Sequence, residues 1–277
     1  MKHPAPPPRR TPDQLRNHYE VERALAARLK ATRTWEERAQ IFSTMYEELF
    51  AKVPDHPRLT IRTSPEDERV QVDRQIALLR GSLTPQAEYV EFGAGTCALA
   101  FALSRRVRRA RVVEIVDQIP AGVERPPNFE LVLYDGHNLD LPDASADVVF
   151  SNQFVEHLHP DDAAWHFSTV HRILRPGGRY VLTTPERWTG PHDISRGFSD
   201  TAQGFHLEEW TYGELREAAR RAGFRRCAAT WVVKGNPVGA PFAAMLASEW
   251  SLSKLPLGPR RRIGRYLIPL VVVTLLV

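Results

Sequence analysis

Val90-Glu91-Phe92-Gly93-Ala94-Gly95-Thr96-Cys97 decides the fold. Tyr89 to Phe92 reads as a strand, and the apolar run after the glycines, to about Ser104, reads as a helix. Gly93 permits a tight turn, and Gly95 lets backbone approach a ligand closely. The helix start offers free N–H groups. The turn alone is shared with dinucleotide-binding sheets. The third glycine of such a fingerprint would fall at Ala98, where alanine is tolerated. Glu91 shifts the balance, because a carboxylate before the turn suits an ammonium ligand better than a pyrophosphate. A plain strand-to-helix turn is the bland alternative.

Working outward, short apolar strands alternate with helices. Strands are expected at Arg111 to Val116, Phe129 to Tyr134, Ala146 to Asn152, Arg179 to Thr184 and Phe224 to Val233. Helices are expected at Ala163 to Leu174, stopped by Pro176-Gly177-Gly178, and at Thr211 to Ala222, ended by Gly223. That alternation implies a parallel sheet covered on both faces, with ligands at the carboxyl ends of its strands. Upstream, Thr11 to Lys52 has helical spacing with a break near Thr32 to Thr34. Residues 53–65 form a proline-broken loop, and Glu66 to Gly81 a further helix. Three parts follow: a disordered tail over 1–12, a helical cap over 13–82 and the sheet domain over 83–277.

With 277 residues, 43% apolar and 25% charged, the chain has the size and composition of a globular protein with a sizeable core. A net charge of +4 spread over both signs does not by itself indicate nucleic acid. Cys97 and Cys227 stand alone, which fits a reducing cytoplasm better than a disulfide framework. The N-terminal stretch lacks the apolar core of a signal peptide. The apolar stretch Tyr266 to Val277 is shorter than the roughly 20 residues of a spanning helix.

Several candidate residues sit at strand ends. Glu114 follows Glu91 by 23 residues, and a carboxylate there can accept both ribose hydroxyls of a nucleoside. Asp117 reads as an exposed loop acid. Asp135 with Gly136 can meet an adenine amino group and ring, although an Asp-Gly pair is more often a simple turn. The runs Leu141 to Leu158 and Leu174 to Tyr180 are more specific together than either alone.

With those runs on the page, residues 88 to 233 resemble the class I S-adenosylmethionine-dependent methyltransferases, in the branch similar to the ubiquinone/menaquinone group. The resemblance rests on VEFGAGTC, VVEIVD, LYDGHNLDLPDASADVVFSNQFVEHL, LRPGGRYVLTTP and GFHLEEWTYGELREAARRAGF in that order. It implies a Rossmann-like, seven-stranded, mostly parallel sheet with helices on both faces. It also implies S-adenosylmethionine as cofactor. Glu91, Gly93 and Gly95 would surround its methionine part, Glu114 its ribose, and Asp135 and Gly136 its adenine. Asn152 and Gln153 would lie below the methionine part. Cys97 departs from the family's frequent glycine, so the backbone there is expected to be less strained. Val271 to Val277 is taken as the seventh strand, a buried strand rather than a membrane anchor.

Methyl transfer needs alignment, and a base where the acceptor is a hydroxyl or an acidic carbon. Candidate bases are His157, His192 and His206, with His159 and Asp193 behind them. His192, Asp193 and His206 lie in the long loop Thr184 to Trp210, whose length argues for function. Structural roles, as turns, caps or buried hydrogen bonds, are the alternative for each. Glu156-His157 resembles the metal motif of ubiquinone-pathway O-methyltransferases, but Gln153 replaces its first acid, so no metal is expected. Trp35, Phe42, Met45, Tyr46 and Phe50 either line an acceptor pocket or pack the core. The expected acceptor is a small molecule, lipid- or sugar-linked ones included, with no nucleic acid. Arg260-Arg261-Arg262 leaves a peripheral membrane contact open, although none is expected. An NAD-dependent oxidoreductase and a non-catalytic cofactor-binding partner protein stand as the competing readings.

Overall fold

The computed structural model describes residues 10–61, 63–233, 235–268 and 270–277. It opens with two long helices, each held at its start by a reciprocal capping box that satisfies otherwise orphaned amides. Thr11 and Gln14 cap α1 (Pro12–Lys30), and Thr34 and Glu37 cap α2 (Trp35–Lys52). The apolar positions at helical spacing meet face to face: Leu25, Leu29, Met45 and Leu49 are buried together with Val53 and Leu207. Short α3 (Pro57–Thr60) falls inside the stretch expected to be loop, because Pro57 suits a first helical turn and His56 caps it. α4 (Pro65–Leu78), placed in the cap by the sequence, packs instead on the sheet side, with Val72 and Ile76 against the buried cluster of Leu99 and Leu103.

The expected tail boundary moves. Residues 1–9 of that tail lie outside the described residues. Arg10 to Pro12 belong to the cap, since Arg10 reaches Asp55 at 2.6 Å and Thr11 caps α1.

The sheet domain runs β1 (Glu88–Phe92), α5 (Ala98–Ser104), β2 (Arg109–Glu114), β3 (Phe129–Leu133), β4 (Ala146–Asn152), α6 (Pro160–Ile173) and β5 (Leu174–Thr184). It continues through α7 (Tyr212–Arg221), β6 (Arg226–Val233), β7 (Asn236–Ala240), α8 (Phe242–Ser253), α9 (Leu257–Leu267) and β8 (Val271–Leu276). The strands form one sheet in the order β3-β2-β1-β4-β5-β8-β6-β7. β1 to β5 pair in parallel, whereas β8 runs antiparallel between β5 and β6.

Among the described residues eight strands replace the expected seven. The addition is β7, which folds back on β6 as an edge hairpin with Val233 opposite Asn236. The apolar C-terminal stretch is the buried strand β8, with Val271, Val272, Val273 and Leu275 almost inaccessible. β2 begins two residues earlier than its apolar run suggests. β5 begins at Leu174, on the expected helix-stop segment, because Gly177 with φ +80 and Gly178 let the chain turn and extend within the strand.

Helices cover both faces. One core cluster joins β1, β4, β5 and β8 to α6 and α7 through Phe167, Val170, Tyr212 and Leu215. The other joins the sheet to α5 through Leu99, Ala100 and Leu103. The strand order reverses between β1 and β4, so the loops leaving their carboxyl ends diverge and open a crevice there.

Candidate functional site

The crevice is floored by Gly93 to Cys97. Gly93 has φ +68 and Gly95 φ +58, both left-handed. A Cβ on Gly95 would meet nothing within 4 Å, whereas one on Gly93 would stand 2.6 Å from Phe154 Cδ2. Gly93 is thus required by packing, and Gly95 leaves open space over the turn.

Cys97 also has φ +61 and sits just before α5. The expectation of a relaxed backbone there is overturned: the cysteine adopts the conformation that favours glycine. Its side chain is 1% exposed among the apolar residues behind β1, and that burial compensates the strain. Burial also pushes its thiol up to about 12.

Two acids close the inner wall. Glu91, on β1, is buried and accepts a hydrogen bond from the Tyr89 hydroxyl at 3.0 Å. Burial, together with the nearby Glu114 charge, pushes its carboxyl up to about 8 despite the Tyr89 bond. Glu114, at the end of β2, accepts the Gly95 amide at 2.7 Å. Burial raises it as well, against the pull of the Gly95 and Ile115 amides. Among the described residues, neither acid has an ion-pair partner. The wall therefore carries two buried carboxyls without a protein cation, which is the chemistry a cationic ligand fits.

The remaining cofactor candidates fall around the same crevice. Asp135 accepts the His137 and Asn138 amides through Oδ1 and the Asn138 side chain through Oδ2, so it builds its own loop, with Gly136 at φ +94. Asp117 is half-exposed and pairs with Arg125 at 2.5 Å, the loop role expected of it. Asn152 accepts from the Thr183 hydroxyl at 2.8 Å. Gln153 has φ +52 and turns its amide to the same hydroxyl at 3.4 Å.

A second cavity, of about 320 Å³, lies beyond the ends of β4 and β5, between the cap and the long loop. His157, His192 and His206 line it, with Tyr46 and Leu49 of α2 and Asp193. Their hydrogen bonds separate the three histidines. His157 Nδ1 faces the Phe205 carbonyl at 2.8 Å, and His206 Nδ1 faces Glu209 Oε1 at 2.9 Å. Both partners accept, so each Nδ1 carries a proton, and in the neutral ring each Nε2 keeps a lone pair. His192 differs, because its Nε2 is 2.8 Å from the Thr189 hydroxyl and 3.1 Å from the Glu186 carbonyl.

The reserve candidates are structural. His159 accepts the Asp161 amide and caps α6. Asp193 accepts the Ser195 and Gly204 amides and holds the loop. Of the five cap residues named as pocket lining, Tyr46 lines this cavity and Met45 is buried in the cap core. Trp35 stacks on His137, with ring centroids 4.9 Å apart, and Phe42 and Phe50 pack against the cap core.

Burial and the neighbouring His206 charge push His157 down to about 4. Burial would lower His206 too, but the Glu209 bond and the Glu156 and Glu209 charges outweigh it and leave it raised. Glu156 is fully buried and pushed up to about 7, and its Oε1 has no hydrogen-bond partner.

Among the described residues two groups converge at metal-ligand spacing, neither through Gln153. Glu156, His157 and His206 offer donor atoms within 4.8 Å of one another, with both Nε2 atoms free. His18, Glu22 and His56 also converge. There, Arg10 donates to His18 Nδ1 at 2.9 Å and the Arg58 amide to His56 Nδ1 at 3.1 Å. Donors on Nδ1 place the protons on Nε2, toward Glu22, which suits a hydrogen-bonded anchor and not a metal. The Glu22 trio gave no motif in the sequence, since His56 lies 34 residues from Glu22 and only the fold joins them.

Comparison with known proteins agrees with this geometry. Residues 90–182 match the family model for a methyltransferase domain. A probable S-adenosylmethionine-dependent methyltransferase of Mycolicibacterium smegmatis is 43% identical over 86 residues, 31% of each chain. A second, from Mycobacterium tuberculosis, is 35% identical over 119 residues, 42% of this chain and 41% of the relative. The matches thus span less than half the length of these curated relatives. Among solved structures, the Haemonchus contortus phosphoethanolamine N-methyltransferase 2, in complex with phosphomonomethylethanolamine and S-adenosylhomocysteine, superposes with a TM-score of 0.52. It is 17% identical, the match covering 74% of this chain and 52% of that one, so it speaks for the fold alone. Residues 90–182 thus match a methyltransferase domain, set on the strand order and glycine turn described above, and the chain is similar over part of its length to S-adenosylmethionine-dependent methyltransferases.

Proposed function

We propose that the chain transfers a methyl group from S-adenosylmethionine to a small-molecule acceptor held in the histidine-lined cavity. The observation that carries this reading is the pair of buried carboxyls, Glu91 and Glu114, without an ion-pair partner among the described residues and beside an open glycine turn. A pyrophosphate there would face two acids, which counts against a nicotinamide dinucleotide. The cofactor's ammonium answers the Glu91 charge, and its ribose hydroxyls donate to the Glu114 oxygen that Gly95 leaves free. Asp135 and Gly136 flank the adenine, and Asn152 and Gln153, pinned by Thr183, underlie the methionine part.

When bound, S-adenosylmethionine supplies an electrophilic methyl on a sulfonium. The chain's own residues orient and deprotonate the acceptor. His157 and His206 present Nε2 lone pairs to the cavity, and either can take the proton of an acceptor hydroxyl as the methyl is transferred. Glu209 holds His206 by its Nδ1–H and favours the imidazolium that forms. His192, with its Nε2 engaged, supports the loop. The free Cys97 and Cys227 fit a cytoplasmic setting.

Incubation with S-adenosylmethionine carrying a labelled methyl in cell extract, followed by product identification, tests this reading. Label in a discrete small molecule supports it. A chain that binds the cofactor yet labels nothing across acceptor pools would assign it a non-catalytic role.

A further inference from the structure

α9 has two faces. Its inner face is built onto the segment that walls the histidine cavity. Gly264 packs so closely on Thr189 that a Cβ would stand 2.4 Å from Thr189 Cγ2. Arg260 lies over the Trp188 ring at 5.4 Å, and Arg261 donates to the Gly190 and Ser199 carbonyls. Two arginines of the basic run are therefore spent inside the fold.

The outer face is apolar where solvent meets it. Ile263, Tyr266 and Leu267 are 43%, 68% and 39% exposed and follow one another at helical spacing. Arg262 and Arg265, both exposed, flank that stripe. On the adjoining α8, Trp250 is 67% exposed. Each exposed aromatic carries a cation over its ring, Arg265 at 4.6 Å from the Tyr266 centroid and Lys254 at 5.7 Å from that of Trp250. From Trp250 to Val277 the sequence contains five basic residues and no acid.

We propose that the outer face of α9 docks on an anionic lipid surface, with Trp250 of the adjoining α8 as a further exposed aromatic. Arginine-flanked aromatic and aliphatic side chains on a short helix are the chemistry of an interfacial helix, which lies in the headgroup plane. Among the described residues no helix is long and apolar enough to cross a membrane, so the contact is peripheral. A two-fold contact between copies would set Arg262 and Arg265 against their own equivalents with no acid in the stretch to pair with them. Nucleic acid would leave the apolar centre of the stripe unpaid by any contact. Docking through α9 also brings residues 187–199, and the cavity they wall, close to the lipid, and the surface stands whether or not the chain transfers methyl groups.

Co-sedimentation of the full chain with phosphatidylcholine vesicles, with and without phosphatidylglycerol, tests the proposal. The wild type is expected to partition at least about tenfold more strongly onto the anionic vesicles. Ile263→Ser with Tyr266→Ser and Leu267→Ser should lower that partitioning by about tenfold or more. Arg262→Gln with Arg265→Gln should lower it roughly fivefold per charge and remove much of its salt sensitivity. Circular dichroism and light scattering accompany both variants, and the arginine pair keeps the test open if the triple variant misfolds. No binding of the wild type to anionic vesicles overturns the proposal, as does binding unchanged in the folded variants. A dimer that the triple variant dissolves would assign the stripe to a second copy and overturn it equally.

Discussion

A Cβ on Gly93 would stand 2.6 Å from the ring of Phe154, so a residue at the end of β1 is fixed by one at the end of β4. Gly95, two residues on, has open space around it. The two glycines thus serve different ends. Gly93→Ala meets both a left-handed φ and Phe154, and is expected to destabilise the fold by about 2–4 kcal/mol. Gly95→Ala meets only the φ penalty of roughly 1–2 kcal/mol and should still fold, but its methyl intrudes where the cofactor's methionine part would lie. Urea unfolding and S-adenosylmethionine titration on both variants check the contrast. Retained cofactor affinity in Gly95→Ala would count against the turn as the binding surface.

Cys97 gives a second stability test. Cys97→Gly relieves a left-handed residue by about 1 kcal/mol but loses a buried side chain and adds unfolded-state entropy of similar size, so the change should stay within about 1 kcal/mol. Cys97→Val adds β-branching at φ +61 in a closed space and should cost more than about 2 kcal/mol. Chemical denaturation midpoints separate the two.

The cap should respond to acid. Burial alone would raise the Glu22 carboxyl, but the His18 hydrogen bond, with His56 3.7 Å away and the Phe205 amide donating to it, brings it down from 4.5 to about 2. A depressed carboxyl contributes stability above its unfolded value and loses it as pH falls through the folded one. Between pH 4.5 and about 2 the anchor is therefore expected to lose on the order of 3 kcal/mol. Glu22→Gln should flatten that part of the stability-versus-pH curve. An unchanged curve would mean that Glu22 does not hold the cap.

Methyl transfer to a hydroxyl acceptor should depend on His206 in its neutral form. Its raised value means that the imidazolium persists higher in pH than for a free histidine, so the rate falls as pH drops through that value. Glu209→Gln removes the charge that raises it and should move the acid limb to lower pH. His206→Asn or His157→Asn should lower the rate by roughly a hundredfold for whichever ring is the base, with cofactor affinity little changed. The pH profile of labelled-methyl transfer is the readout.

Much of this architecture was legible in the sequence, for physical reasons that can be named. Short, near-continuous apolar runs mark β1, β4 and β5, and capping pairs such as Thr211 with Glu214 mark helix starts. Val271 to Val277 was legible as a strand from its β-rich run, but its antiparallel place between β5 and β6 was not, since it pairs with strands distant in the chain. β7, α8 and α9 carried no motif, and the inner face of α9 is set by packing on Trp188 and Thr189. At the site, the residue types were readable but the side-chain partners were not. His192 looked equal to His157 until its Nε2 was seen bound to Thr189 and Glu186. The backbone conformation of Cys97 was read the wrong way, because local strain compensated by burial leaves no trace in composition.

Calorimetric titration with S-adenosylmethionine tests the central claim most directly, with NAD and Glu91→Ala as comparisons. Glu91 holds its proton to about pH 8 in the free protein against 4.5 when unfolded, so the stability of the free chain falls as pH rises across that window. A cationic ligand favours the carboxylate, so binding near neutrality should release a proton, visible as heat that varies with the buffer's ionisation enthalpy. The account predicts S-adenosylmethionine binding with proton release, its loss in Glu91→Ala, and no binding of NAD. Tight NAD binding without S-adenosylmethionine binding, or an unchanged affinity in Glu91→Ala, would contradict it.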